Sequence, residues 1–284
     1  MTEYRASSRN GSARNSAGRS SVDNRTGATG LIGLMAAKQA AADGHTLVVV
    51  TTSTHGSMPA LKRNLAYDAV RDFAPIVLMA DATLVLLVRD DLPVQSVAQL
   101  IGMMRDRPGQ LNYSTGGYGS PHHLATITLF QRAGLPHNVA VHVPFAGLAP
   151  ALMALLGGNA QFMITSTGAA TQHIASGRLR PLATTSLKRS PRLPAVPTMA
   201  ELGYPGFEVV AWCGLAAAAG TPDAIVTPLE RARQRRPARP QGARSDIGAR
   251  LRYTRRHGEG LCRFHRSRYR PVQKLAADMG LAED

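Results

Sequence analysis

Four stretches of the chain put hydroxyl and glycine residues where an apolar, strand-like run gives way to a helix-like one. They are Thr52, Ser53, Thr54 and His55; Ser114, Thr115, Gly116 and Gly119 with Ser120; Phe145, Ala146 and Gly147; and Thr165 with Ser166. At such a junction the first backbone N–H groups of the helix have no intrahelical acceptor, and the helix dipole favours negative charge. The chemistry this suits is capture of a carboxylate by backbone amides. Ser120 followed by Pro121 reads as a helix N-cap and first helical residue. Pro150 falls in the first turn of a helix that begins after Gly147.

Sharper chemistries find less support. His55, His122, His123, His137, His142 and His173 invite a metal reading, but no pair has the i, i+4 spacing with a carboxylate that a zinc site shows. No metal and no cofactor are expected. Gly119-Ser120-Pro121 is not a nucleophile elbow, and no base with an orienting acid stands at recognisable positions. The expectation is a binding protein, not an enzyme. Gly27, Gly30 and Gly33 have the spacing of a dinucleotide fingerprint, yet no strand of normal length precedes them, so they read as a close helix-packing device.

The elements that must position these stretches follow from periodicity. Apolar runs at 46–50, 76–79, 83–88, 111–113, 140–143, 161–164, 179–184 and 207–212 predict strands. Between them lie helical patterns: the glycine-led helix ending at Asp43-Gly44, one from the Ser96 cap to Arg105, one after Ser120, then 149–156 and 169–176. A short helix is also expected after the proline-rich crossing at 190–198. Alternation of this kind predicts parallel α/β layers. The run 51–56 then stands at the carboxyl end of a buried strand, where open α/β sheets bind ligands. Trp212, at a strand end, reads as core or hinge packing.

The chain has 284 residues, 44% of them hydrophobic, enough for one large or two medium globular domains. No run of about 18 apolar residues predicts a transmembrane helix, and the first residues contain no apolar signal-peptide core. Cys213 and Cys262 are too few for a disulfide framework. The formal charge of +15 is unevenly spread: residues 1–25 hold five Arg against two acids, and residues 229–270 hold fourteen Arg against three. A basic segment of that kind binds polyanions through phosphate neutralisation, the alternative function for this chain. Its sparse aromatics, Tyr253, Phe264 and Tyr269, argue against specific nucleic-acid recognition.

From about residue 22 to 229 the chain resembles the substrate-binding receptors of tripartite tricarboxylate transporters, the Bug proteins. The resemblance is carried by Asp23-Asn24-Arg25 before the glycine helix, Asp43-Gly44-His45-Thr46-Leu47, Thr52-Ser53-Thr54-His55, and Tyr67-Asp68 through Asp72-Phe73-Ala74-Pro75. It continues in Pro108-Gly109-Gln110-Leu111-Asn112-Tyr113, His142-Val143-Pro144-Phe145 with Gly147 and Pro150, and Gly157-Gly158. Gly177-Arg178-Leu179-Arg180, Arg189-Ser190-Pro191 through Val196-Pro197-Thr198, Pro205-Gly206-Phe207-Glu208 and Gly220-Thr221-Pro222 complete the series. It implies a periplasmic binding protein fold of type II, two doubly wound α/β lobes closing on a small carboxylated solute. The implied pocket is Thr52, Ser53, Thr54, His55, Ser114, Thr115, Gly116, Gly119, Ser120, Phe145, Ala146, Gly147, Thr165 and Ser166, with backbone amides and ordered water holding the carboxylate and no arginine clamp. Also implied are a periplasmic location, a monomer, and membrane transporter components as partners.

Three departures shape the domain reading. The family's signal peptide, and its first strand ending in a proline-glycine-glycine loop, have no counterpart here. Residues 231–268 are a stream of Arg, Gly, Pro and Ala, as a shifted reading frame in a GC-rich gene would give, and 269–277 return to the family's C-terminal helix pattern. The expected organisation is a disordered segment at 1–21, lobe one at 22–103, lobe two at 104–207 and a return to lobe one at 208–284. Lobe one, lacking its first strand, is expected to have an exposed sheet edge, hence marginal folding and weak binding. Closure is expected as a hinge motion across 88–93 and 202–208.

Overall fold

The computed structural model describes residues 2–6, 20–25, 27–62 and 64–234. The Arg-rich stretch beyond 234, the family-like pattern at 269–277 and Cys262 lie outside the described residues. Among the described residues, eight strands form one path, in the order β2 (Ser20–Asn24), β1 (Thr2–Ala6), β3 (Thr46–Thr51), β9 (Val210–Ala218), β4 (Phe73–Arg89), β7 (Phe162–Ser166), β5 (Asn112–Thr115) and β6 (Val141–Pro144). The remaining strand, β8 (Leu179–Thr184), pairs with β4.

β3 shows why the pattern works. Its alternate residues Val48 and Val50 enter one core with Leu34, Tyr67, Phe73 and Trp212, while Leu47 enters another with Ile76 and Val77. The first core is covered by α1 (Leu31–Lys38), and the second meets Val226 and Leu229 of α7 (Asp223–Gln234). In the other half, Tyr113, Phe130, Phe162 and Leu86 share a core with Val97, Leu100 and Met104 of α3 (Val97–Asp106). The Ser96 hydroxyl accepts from the Gln99 amide at 3.2 Å, so α3 begins at its predicted cap.

Four expectations change. First, the sheet is mixed: β5 runs parallel to β6 and β7, but β4 is antiparallel to β7, β8 and β9. β4 alone passes from one set of partners to the other, its residues 73–83 pairing with β9 and its residues 84–89 with β7 and β8. Second, 76–79 and 83–88 are parts of the single strand β4. The gap left between them, 80–82 with the polar Asp81, is paired with Trp212 and its neighbours on β9, and register shifts between Pro75 and Val77 and between Leu78 and Ala80 absorb the irregularity. Third, β9 lies at 210–218, not 207–212. Its alanine-rich sequence is a weak strand former, overridden by pairing with β3 on one side and β4 on the other. A Cβ at Gly214 would sit 2.8 Å from the Val77 carbonyl oxygen, so glycine permits the close approach at the bulged stretch.

Fourth, the parts of 1–21 that are described form strands, and residues 7–19 lie outside the described residues. Thr2–Ala6 pairs antiparallel with Ser20–Asn24 and with β3, Tyr4 opposite Leu47. An open edge on β3 is a template for any extended segment, and β1 with its Thr and Tyr fills it. The edge of β3 that was expected to stand exposed is therefore paired. The stretch after the proline-rich crossing makes turns at 199–203 in place of the expected short helix.

Candidate functional site

Residues 52–57 are all buried. Ser53–Ser57 winds as a π-helical turn leading into α2 (Met58–Leu61). The Thr52 hydroxyl accepts the Trp212 amide at 2.8 Å. Thr54 Oγ1 accepts the Thr51 amide at 3.0 Å and meets His55 Nδ1 at 3.1 Å. Ser57 donates to the Thr52 carbonyl at 3.2 Å, and the Tyr67 hydroxyl donates to the Thr54 carbonyl. His55 packs against Phe73 with ring centroids 5.2 Å apart. These groups are spent on each other, so the stretch is a stiff wall.

The loop after β5 is held from below by rings. The Ser114 hydroxyl donates to the Ala151 carbonyl at 2.9 Å, and Thr115 Oγ1 stands 2.7 Å from His142 Nε2 while accepting the Gly117 amide at 3.2 Å. The Ser120 hydroxyl caps α4 (Pro121–Arg132), accepting the His123 amide at 3.2 Å. His123 stacks on His142, centroids 4.3 Å apart, and His142 stacks on Tyr113 at 4.9 Å. Burial drives the His123 pKa down to about 3, helped by the facing His142, and burial drives His122 and His142 to about 4. All three are neutral at pH 7.

The third stretch is tied to the second, because the Phe145 amide donates to the Thr115 carbonyl at 3.0 Å. Gly147, with φ of 132°, is the N-cap of α5 (Leu148–Leu156) and brings no side chain to cap it. The amides of Leu148 and Ala149 therefore stand at an open helix end, and Pro150 has no amide to satisfy. In the fourth stretch the Ser166 hydroxyl caps α6 (Thr167–Ala175), accepting the Ala169 amide at 3.4 Å. Thr165 is 0% exposed, and its hydroxyl has no hydrogen-bond partner among the described residues. β7 and β5 are parallel, so their carboxyl ends open on the same side.

The first three stretches meet at glycines. A Cβ at Gly116 would lie 3.3 Å from the Gly147 carbonyl carbon and the Leu148 nitrogen. One at Gly119 would lie 3.2 Å from Leu61 and Met58, and one at Gly117 would lie 3.6 Å from the Phe145 carbonyl oxygen and from Thr29 Oγ1.

That last contact identifies a participant the sequence reading left out. Gly27, Ala28, Thr29 and Gly30 all have positive φ, at 121°, 44°, 54° and 95°, a conformation disfavoured for alanine and more so for threonine. The turn reaches the β5–α4 loop, with Thr29 Oγ1 donating to the Tyr118 carbonyl at 3.5 Å, and it leads into α1, another helix without a side-chain cap. The glycine spacing was its signal, read only as helix packing. The backbone strain falls on Ala28 and Thr29, while a Cβ at Gly27 would stand 2.6 Å from Ile32 of α1, a close packing on that helix.

The converging stretches at 27–30, 52–57, 114–120, 145–149 and 165–168 contain no Lys, Arg, Asp or Glu. Those stretches offer an anion backbone amides and helix dipoles and no cationic side chain of their own. Among the described residues no three His, Cys, Asp or Glu gather as for a metal, and no helix is long and apolar enough to cross a membrane.

The sequence and the fold resemble those of known proteins. The sequence profile of the tripartite tricarboxylate transporter family receptors matches residues 7–247. BugT of Bordetella pertussis (strain Tohama I) is 38% identical over 211 residues, covering 74% of this chain and 64% of that protein. The chain thus spans less than two thirds of the length of BugT. Among solved structures, Rpa4515 of R. palustris with adipate superposes with a TM-score of 0.79 at 33% identity, covering 92% of this chain and 86% of that one. MatC (Rpa3494) of Rhodopseudomonas palustris with bound malate gives 0.76 at 30%, covering 88% and 85%. Members of this family are periplasmic solute-binding receptors, not enzymes. By profile, by sequence relatives and by the mixed α/β architecture, the chain belongs to the tripartite tricarboxylate transporter receptor family.

Proposed function

We propose that this chain is a periplasmic receptor that captures a small carboxylated solute, an organic acid or acidic amino acid, and presents it as a monomer to the membrane components of a tripartite transporter. The observation that carries the proposal is the packing of Gly116 on the Gly147–Leu148 peptide. It sets the β5–α4 loop beside the open N-terminus of α5, and neither stretch contains a charged residue. Open amides and a helix dipole suit a carboxylate. That two family structures carry dicarboxylates, adipate and malate, agrees with this class.

The proposed ligand wall is the set Thr52, Ser53, Thr54, His55, Ser114, Thr115, Gly116, Gly119, Ser120, Phe145, Ala146, Gly147, Thr165 and Ser166, joined by Thr29. Two lobes remain the proposed organisation, divided at 83/84 and 209/210 in place of 103/104 and 207/208, a division supported by Val97, Leu100 and Met104 sharing a core with Tyr113 and Phe162. Strand pairing supports moving both crossings, because Val88 and Arg89 are still paired with β8 while Thr83 is the last β4 residue paired with β9. A hinge at Thr83–Leu84 and near Val210 follows, in place of 88–93 and 202–208.

A thermal-shift screen of the full chain against adipate, malate, citrate, aspartate and glutamate tests the proposal. A ligand that binds only the folded state raises the midpoint saturably. A cooperative melt that none of these acids moves, at millimolar concentration, defeats it.

A further inference from the structure

We infer that the His123–His142 stack makes the β5–α4 loop acid-labile, with His123 as the group whose protonation lets the loop go. The Gly119 amide donates to His123 Nδ1 at 3.3 Å, so this nitrogen must be bare and the ring proton must sit on Nε2. A proton arriving at Nδ1 would set one donor against another. His142 differs: its Nε2 meets the Thr115 hydroxyl at 2.7 Å, and a hydroxyl can turn to accept from a protonated ring. Loss of the bond to His123 is therefore the intolerant step.

The surroundings give an imidazolium no help. His123 faces His142 from β6 at 4.3 Å, Tyr118 from the loop itself at 4.9 Å, and Tyr113 from β5 at 6.4 Å, with His122 beside it on α4. Neither tyrosine carries charge in acid. A second positive charge on His142 would oppose the first across the stack, and no carboxylate is in ring contact with either imidazole among the described residues. His123 thus takes a proton only by leaving the stack, which frees Gly119 and loosens the loop on Thr115 and Gly117. Its pKa of about 3 in place agrees with that geometry. Below the ordinary histidine range, the population of the opened loop grows about tenfold per pH unit. The loop opening stands on its own; the accompanying loss of carboxylate binding rests on the receptor reading.

The test is hydrogen exchange of the full chain at pH 7.5, 6.0 and 5.0, corrected for intrinsic rates, comparing amides 116–120 with those of α3. The expected result is a loss of protection at 116–120 of at least tenfold by pH 5.0, ahead of any loss in α3. In His123→Asn, whose Oδ1 still accepts from Gly119 but does not titrate, that loss should disappear. Unchanged wild-type protection, a loss spread equally over α3, or the same local loss in His123→Asn overturns the inference. The wild-type comparison decides the matter even if the variant does not fold. Malate affinity measured at the same pH values is a separate arm: absence of binding at pH 7.5 tells against the receptor reading and leaves the loop result standing.

Discussion

Gly116 lies against the Gly147–Leu148 peptide so closely that a single added methyl would stand 3.3 Å from two backbone atoms. Backbone cannot swing aside as a flexible side chain can. Gly116→Ala should cost about 1 kcal/mol and Gly116→Val about 1–3 kcal/mol, as overpacking does. Both should weaken carboxylate binding, the valine variant more. Urea unfolding together with ligand-induced thermal shifts checks both effects, and a valine variant with undiminished shifts would show that the contact does not shape the site.

The Thr52 hydroxyl accepts the Trp212 amide at 2.8 Å, joining the turn after β3 to the start of β9 across 160 positions of sequence. Thr52→Val keeps the shape and removes the acceptor in a buried place. The expected loss is about 1–3 kcal/mol, the cost of a buried polar group left without its partner, whereas Thr52→Ser should recover most of it. Equilibrium denaturation of the two variants side by side makes the measurement.

Acid should destabilise the whole fold through its histidines. For His123 the folded pKa, about 3, lies below the ordinary 6.5, so between those values the unfolded chain binds more protons and stability rises with pH. The contribution is complete above about pH 6.5 and is lost as pH falls toward 3. From pH 7 to pH 5 this one group should lower the unfolding free energy by about 2 kcal/mol. His122 and His142 act with the same sign. Denaturant midpoints at the two pH values, with unchanged slope, would record it, and a flat profile would contradict the buried neutral stack.

Ser120 is a structural cap as well as a residue of the proposed ligand wall. Ser120→Ala should cost about 1 kcal/mol, and Ser120→Asp should restore most of it, since aspartate also accepts the amide and suits the positive end of the dipole. Thermal melts of the two variants test this order.

The strands at 46–51 and 179–184, the caps at Ser96 and Ser120, and the helix starting beyond Gly147 were legible because each depends on local pattern: apolar runs, a serine before a helix, a glycine at a turn. What was not legible depends on partners distant in sequence. β4 looks like two strands until β9 lies beside it, and the alanines of β9 look like no strand until β3 and β4 flank them. At the site, the sequence located the hydroxyls but not their orientation. Ser120 and Ser166 turn inward as caps, Thr52 and Thr54 serve the wall, and the open helix ends belong to Gly147 and Gly30, which carry no side-chain chemistry to notice. Thr29 escaped because nothing in a sequence announces a left-handed threonine.

Thr83 and Val210 are the last register partners of β4 and β9, so the chain leaves the first sheet and re-enters it at one place, with residues 84–209 between. This is the topology of an insertion, and it dictates an order of events on the ribosome. β3 and the first part of β4 emerge early, but the strand that belongs between them is made only after the whole second half. The nascent first sheet must wait with facing edges unpaired while 84–209 fold, and β9 then closes it like a zip drawn last. Slowing synthesis before codon 210 should lengthen the time those edges are open to other chains, and with it the yield lost to aggregation.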